Sequence, residues 1–283
     1  MLDTTPHLHE TTSQTRKALA EEQGGTGVHG VAPASKHLQA VERAVAYLRE
    51  HLASPLTLDD VAASVAMSKF HFARVFEQLT GTPPRCFLAC LRIEQAKRIL
   101  HSTDIPVTDV CLEVGYASLG TFSQAFSDIV GVSPSAYRRV SKEAVDPLDF
   151  VGRCTSFLAN QRGEIPGDLT GIIESPVDTE ASVIFVGAFA RGAPLGRPQS
   201  GTVLLRDGKF RIRRPAAANF HLLAVRLPIR GLVNVANTTL EVSGVASHRF
   251  PASHSAQDGS ACLRLRAPTS IDPPLLVEFS ALI

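Results

Sequence analysis

Charge of one sign is scarce in this chain of 283 residues. Its 28 Lys and Arg nearly cancel 27 Asp and Glu, leaving a formal net charge of +1. Bulk electrostatic attraction to nucleic acid or to a membrane surface needs a large cation excess, so any such partner must be met by a local patch. Long apolar runs are missing too: none approaches the roughly eighteen residues of a membrane span. The opening MLDTTPHLHETTSQTRKALAEEQGG has neither the basic start nor the apolar stretch of a secretory signal. A cytoplasmic chain with no membrane partner is expected. Cysteines are few and odd in number, at 86, 90, 111, 154 and 262, and form no CxxC pair, which excludes a disulfide framework or a zinc knuckle. Cys86 and Cys90 share a helix face, so a thiol switch stands beside the default of packed, reduced cysteines. Only His7 and His9, of ten histidines, lie close together. No nucleophile elbow, telling Cys-His spacing or phosphate-binding glycine loop occurs; no enzyme, metal or cofactor is expected.

What is present changes character along the chain. Residues 1–35, rich in Thr, Gly, Glu and Gln, have few large apolar side chains to offset the entropy of ordering and read as a flexible tail. Residues 36–141 are helical by period. HLQAVERAVAYLREHL places Leu38, Val41, Val45, Leu48 and Leu52 on one face. Thr57 and Ser68 stand at N-caps, Gly81 at a stop, and Ser133-Pro134 at a last helix start. A linker over 142–165 follows. Over 166–283 the period turns to two: DLTGIIES, SVIFVGAFA, TVLLR, KFRIRR, FHLLAVRLP, TTLEVSGV, ACLRLRA and PLLVEFSAL read as strands. Asp207-Gly208 predicts a two-residue hairpin between TVLLR and KFRIRR. The fold class is thus multidomain: an all-α domain of two helix-turn-helix units, then an all-β sandwich of immunoglobulin-like or prealbumin-like build.

The helical part repeats itself. Ser68, Phe72, Phe76, Leu79 and Gly81 return fifty residues later as Ser118, Phe122, Phe126, Ile129 and Gly131, with Pro84 matched by Pro134. Upstream the offset is forty-nine, pairing Asp60 with Asp109 and Val61 with Val110. The second copy therefore has one more residue in its turn. Gly115 can take the left-handed backbone such a turn needs; the first copy must place Ala66 there, at a cost of up to ~1 kcal/mol. With positions 72, 75, 76 and 79 in the core, Lys69, Phe70, Ala73 and Arg74 point outward in the first copy. Leu119, Gly120, Ser123 and Gln124 do so in the second. A helix over 83–100, roughly 27 Å long at 1.5 Å per residue, joins the copies. It can hold two helices near the ~34 Å of one DNA turn.

LTLDDVAASVAMSKFHFARVFEQLTG and VTDVCLEVGYASLGTFSQAFSDIVGVSPSAYRR resemble the paired helix-turn-helix domain of AraC/XylS-type bacterial transcription regulators, over residues 38–139. The resemblance implies a sequence-specific regulator that grips double-stranded DNA in two successive major-groove segments and works beside RNA polymerase. Its DNA contacts would fall on Ser68, Lys69, Phe70, Ala73 and Arg74, on Leu119, Gly120, Thr121, Ser123 and Gln124, and on Arg138 and Arg139 beyond. Arg74 suits guanine O6 and N7, Gln124 adenine N6 and N7, and Phe70 a thymine methyl. Lys69 and the two late arginines suit phosphates. Each has a plainer alternative: a solvated Arg74, Gln124 or helix end, and a Phe70 packed on the preceding helix. The family often carries Arg where Gln124 stands and Lys where Ser127 stands. The charged first helix is therefore expected to carry most of the sequence code. A sensor usually precedes the DNA-binding domain in this family; here the β-part follows, loosely similar to carboxypeptidase-regulatory-like sandwiches. An alternative makes that β-sandwich the working part, a homodimerisation or small-molecule effector module tethered to DNA by the helices.

Overall fold

A computed structural model describes residues 33–142, 168–175, 181–193, 195–196, 198–217, 219–229, 242–250 and 260–276. Of the tail expected over 1–35, residues 1–32 lie outside the described residues and 33–35 already belong to the first helix; of the linker expected over 142–165, residues 143–165 lie outside them. Among the described residues seven helices come first: α1 (Pro33–Glu50), α2 (Leu58–Ser64), α3 (Lys69–Thr80), α4 (Pro84–Ser102), α5 (Val107–Glu113), α6 (Leu119–Val130) and α7 (Pro134–Ser141). Their ends are set by local chemistry. Thr57 and Asp60 form a reciprocal capping box on α2. Gly81 and Gly131 end α3 and α6 in left-handed backbone, at φ 71° and 94°. Each helix-turn-helix unit owns a core. Val41, Val45, Leu48, Val61, Phe72, Phe76 and Phe87 fill the first; Ile93, Leu100, Val110, Phe122, Phe126 and Tyr137 fill the second. The 19-residue α4 contributes to both.

The two turns are superposable in hydrogen bonding. Met67 N–H donates to Ala62 O and Ala66 N–H to Ala63 O; Tyr116 N–H donates to Cys111 O and Gly115 N–H to Leu112 O. Both are Schellman turns. Ala66, at φ 56°, is the only non-glycine residue with positive φ among the described residues. Gly115, at φ 82°, has a second constraint. A Cβ there would meet the Ala53 backbone at 2.7–2.9 Å. Arg92 of α4 holds that backbone in place, donating from Nε to Leu52 O (2.7 Å) and from Nη2 to Ser54 O (2.9 Å). The turn of the second unit is thus seated on the α1–α2 loop of the first.

Seven strands follow among the described residues: β1 (Asp168–Glu174), β2 (Ser182–Phe189), β3 (Ser200–Leu204), β4 (Gly208–Arg213), β5 (Phe220–Pro228), β6 (Gly244–Phe250) and β7 (Ser260–Arg264). They form two sheets, in the orders β4-β1-β7 and β3-β2-β5-β6, with β1 and β7 parallel. Leu169, Ile184, Phe210, Phe220, Leu222 and Phe250 are among the residues that fill the space between them. Phe220 and Phe250 are cross-strand partners with rings stacked at 4.8 Å.

Three expectations differ from the structure here. The hairpin at Asp207-Gly208 does not form, because β3 pairs with β2 in one sheet and β4 with β1 in the other. The bend crosses between sheets instead. Arg226, buried in β5, ion-pairs with the Asp207 carboxylate, which also accepts from Ser175 Oγ at 3.2 Å. A buried guanidinium needs an anion, and that need outweighs the local turn preference. Of the strand expected over 238–245, residues 238–241 lie outside the described residues, 242–243 form no strand, and 244–245 open a strand that runs Gly244–Phe250. Of the last strand, expected over 274–282, residues 274–276 are described and form no strand, with Leu276 buried in the second helical core; the rest lies outside the described residues.

Candidate nucleic-acid interface

α3 forms because Phe72, Val75 and Phe76 line one face and bury completely or nearly so. Leu79 departs from the core set expected for it, since it is 38% exposed at the rim of the helix end. The remaining face carries the residues singled out in the sequence. Phe70 is 80% exposed, so the alternative of packing on the preceding helix does not apply. Lys69 Nζ lies 5.6 Å from the Phe70 ring centroid and 3.2 Å from the Asp59 carboxylate of α2. That ion pair gives Lys69 a structural partner unforeseen in the sequence, worth under about 1 kcal/mol at such exposure. Arg74 is exposed and donates to His71 Nδ1 at 3.2 Å. Ser68 sits at the N-cap with its backbone carbonyl accepting from Phe72 N–H at 2.9 Å, but its exposed side chain makes no capping bond, so the hydroxyl and the first N–H groups of α3 are left without that partner.

The second unit presents a different surface from the same scaffold. Ser118 does cap α6, accepting from Thr121 N–H at 3.2 Å. Leu119 is 42% exposed, and a Cβ at the exposed Gly120 would meet only Ser118 Oγ, at 3.9 Å. Thr121 and Gln124 are exposed and Ser123 half-buried. Gln124 Nε2 donates to Asp128 Oδ1 at 2.8 Å, so the amide must leave that partner to reach a base edge. Arg139 is exposed at the end of α7. Arg138 is engaged with the scaffold: Nη2 donates to Ile105 O at 2.6 Å, and Nε is buried without a partner among the described residues.

The thiol-switch alternative fails on burial. Cys90 is fully buried, and desolvation pushes its thiol up to about 12, so no thiolate forms at neutral pH. Cys86 and Cys90 are both free thiols.

No expectation from the sequence covers what stands behind α3 and α6. The β2–β3 loop touches the far ends of both. Gly192 lies against Gly81, where a Cβ would meet the Gly81 carbonyl oxygen at 2.5 Å. Gly196 N–H donates to Ile129 O at 2.8 Å, and Leu195 packs on the second helical core. Beyond β7, Ile271 is buried in the first helical core and Leu276 in the second, where Lys97 Nζ donates to Leu276 O at 3.1 Å. A signal existed. β2 is buried at every position and β5 at all but one, unlike the alternating β1 and β4. SVIFVGAF and FHLLAVRLP are the unbroken apolar runs of strands covered on both faces.

A family model described as a helix-turn-helix domain matches residues 61–140. The MmsAB operon regulatory protein of Pseudomonas aeruginosa is 44% identical over 94 residues, 33% of this chain and 31% of that protein. The HTH-type transcriptional activator AarP of Providencia stuartii is 31% identical over 107 residues, covering 36% of this chain and 79% of the relative. Among solved structures, the C-terminal domain of AraT, a response regulator from Geobacillus stearothermophilus, is 36% identical. It covers 36% of this chain and 84% of that chain, with a TM-score of 0.35. The chain spans about a third of the length of the first curated relatives it matches.

Proposed function

The chain belongs to the AraC/XylS-type helix-turn-helix regulators, and on that premise we propose that α3 and α6 enter successive major-groove segments of double-stranded DNA. The observation that carries this reading is the exposed face of α3. An 80% exposed Phe70 stands there between Lys69 and Arg74, on a helix whose opposite side is sealed in a core. So large an exposed aromatic beside two cations is costly as bare surface and useful against a thymine methyl and a guanine edge. The uncapped N-terminus of α3, with Ser68 and Lys69, suits a phosphate. On α6, Leu119, Gly120, Thr121, Ser123 and Gln124 fit a groove by shape and neutral contacts, and so discriminate bases weakly. Arg139 anchors a phosphate; Arg138 serves by holding α7 to the α4–α5 connection. The setting is the cytoplasm, next to RNA polymerase.

A duplex selected from a random pool by the full chain tests the reading. Arg74→Ala should weaken specific binding by ~1–3 kcal/mol and relax preference at one base pair. Gln124→Ala should change preference less. Unchanged affinity and preference in Arg74→Ala would show that the contact assignment is wrong.

A further inference from the structure

A cavity of about 410 Å³ opens between the last turn of α3 and the β-sandwich. Its size lies within the ~300–1,000 Å³ of small-molecule sites. On one side stand Gln78, Leu79, Thr80 and Gly81. On the other is the outer face of β5 and β6, built from the cross-strand pairs Val225–Val245, Leu223–Ser247 and His221–Arg249. Pro268, Pro273 and Pro274 form part of the third wall. Leu79, 38% exposed, lines this cavity, as do Gly81 and the Gly192 that lies against it.

The charges around the cavity are mostly spoken for. Arg266 is held bidentately by Asp272, at 2.8 and 2.6 Å, and Asp272 also accepts from Thr269 N–H at 2.7 Å. Glu94 pairs with Arg49 at 3.2 Å and lies 3.9 Å from Arg98. Arg249 has no hydrogen-bond or ion-pair partner among the described residues, and it stands beside His221, whose pKa burial and the Arg249 charge lower. The imidazole therefore stays neutral near pH 7, leaving Arg249 as the uncompensated cation over an apolar floor.

We infer that this cavity binds a small monoanionic molecule with an apolar body, an aliphatic or aryl carboxylate, whose carboxylate pairs with Arg249 and whose body lies on Leu223, Val225 and Val245. The ligand would touch α3 and the sandwich at once. The wall at 268–275 is tied into both helical cores by Ile271 and Leu276 on either side of the prolines. Filling the cavity therefore sets the seat of the first reading helix, and ligand and DNA affinities are linked reciprocally. The linkage rests on the DNA-reading proposal above; the ligand site does not.

Titration calorimetry and thermal shift on the full chain, with octanoate and phenylacetate against octanamide and phenylacetamide, test the site without DNA. The carboxylates should bind at least about tenfold more tightly than the amides. Arg249→Gln should weaken carboxylate binding about tenfold, and Ser247→Phe, which fills the cavity from an exposed β6 position, should abolish it. No binding by either carboxylate, or binding indifferent to both substitutions, overturns the site. In a second arm, saturating carboxylate should change affinity for the selected duplex by about fivefold or more, with no response in Ser247→Phe. Carboxylate binding with unchanged DNA affinity overturns the linkage. A chain that binds carboxylate and selects no duplex refutes the DNA reading while the site stands.

Discussion

Exchanging the two turn residues, Ala66→Gly in the first unit and Gly115→Ala in the second, should move stability in opposite directions. Ala66 is exposed and left-handed, so its methyl makes no packing contribution while the backbone carries ~1–2 kcal/mol of strain. Glycine removes that strain and costs ~0.5–1 kcal/mol in unfolded-chain entropy. The net expectation is a gain of about 0.5–1 kcal/mol. Gly115→Ala takes on the same strain and adds a collision. Its Cβ would sit 2.7 Å from Ala53 O and 2.8 Å from Ala53 Cα, backbone atoms that cannot rotate away. The neighbouring carbonyls are held by Arg92, so relief means moving the α1–α2 loop and breaking those bonds. Overpacking of this kind costs ~1–3 kcal/mol, which with the net strain of about 0.5–1 kcal/mol brings the total loss to about 1.5–4 kcal/mol. Urea denaturation followed by helical circular dichroism reads both. The same contact sets how the units sit on each other, so Gly115→Ala should also reduce affinity for the selected duplex. A Gly115→Ala loss no larger than the strain net of chain entropy, about 1 kcal/mol, would refute the close-approach argument. So would two substitutions of the same sign.

Three further expectations concern the sandwich and the thiols. Gly192→Ala places a Cβ 2.5 Å from the Gly81 carbonyl oxygen and should loosen the β2–β3 loop from α3, raising amide hydrogen exchange at residues 78–82; unchanged exchange there would count against the contact. Asp207→Ala removes the carboxylate from buried Arg226 and should destabilise the sandwich by about 3 kcal/mol, measured by thermal unfolding; Asp207→Ala with Arg226→Leu should recover part of that loss. In native iodoacetamide labelling at pH 7.5, exposed Cys262 should react and Cys90, held protonated to about pH 12 by burial, should not; peptide mapping by mass spectrometry distinguishes them.

The helical half was largely legible because its signals are local. Phe72 and Phe76 recur as Phe122 and Phe126, and caps and stops act through neighbours within five residues, so spacing alone placed α2 to α7 and the outward faces. Local reasoning could not tell that Ser68 leaves its helix end uncapped while Ser118 closes its own, nor that Asp59 reaches Lys69 and Ile105 O holds Arg138. Those depend on where a different element lies. In the β-half, alternation found β1 and β4, and apolar runs found β2 and β5; partner choice escaped because a strand's own residues do not say which edge it meets.

By itself, then, the sequence determined the period, the repeat, the left-handed turns and the family, since each follows from a side chain's size and its neighbours along the chain. Only the tertiary structure decided that Asp207-Gly208 bridges two sheets, that Gly115 is required by Ala53 more than by its own φ, and that the sandwich is seated behind α3 and α6 through Gly192, Gly196, Ile271 and Leu276. Those outcomes turn on buried charge, close backbone approach and apolar faces covered from both sides. Each of these is a property of residues far apart in the chain and adjacent only once it folds.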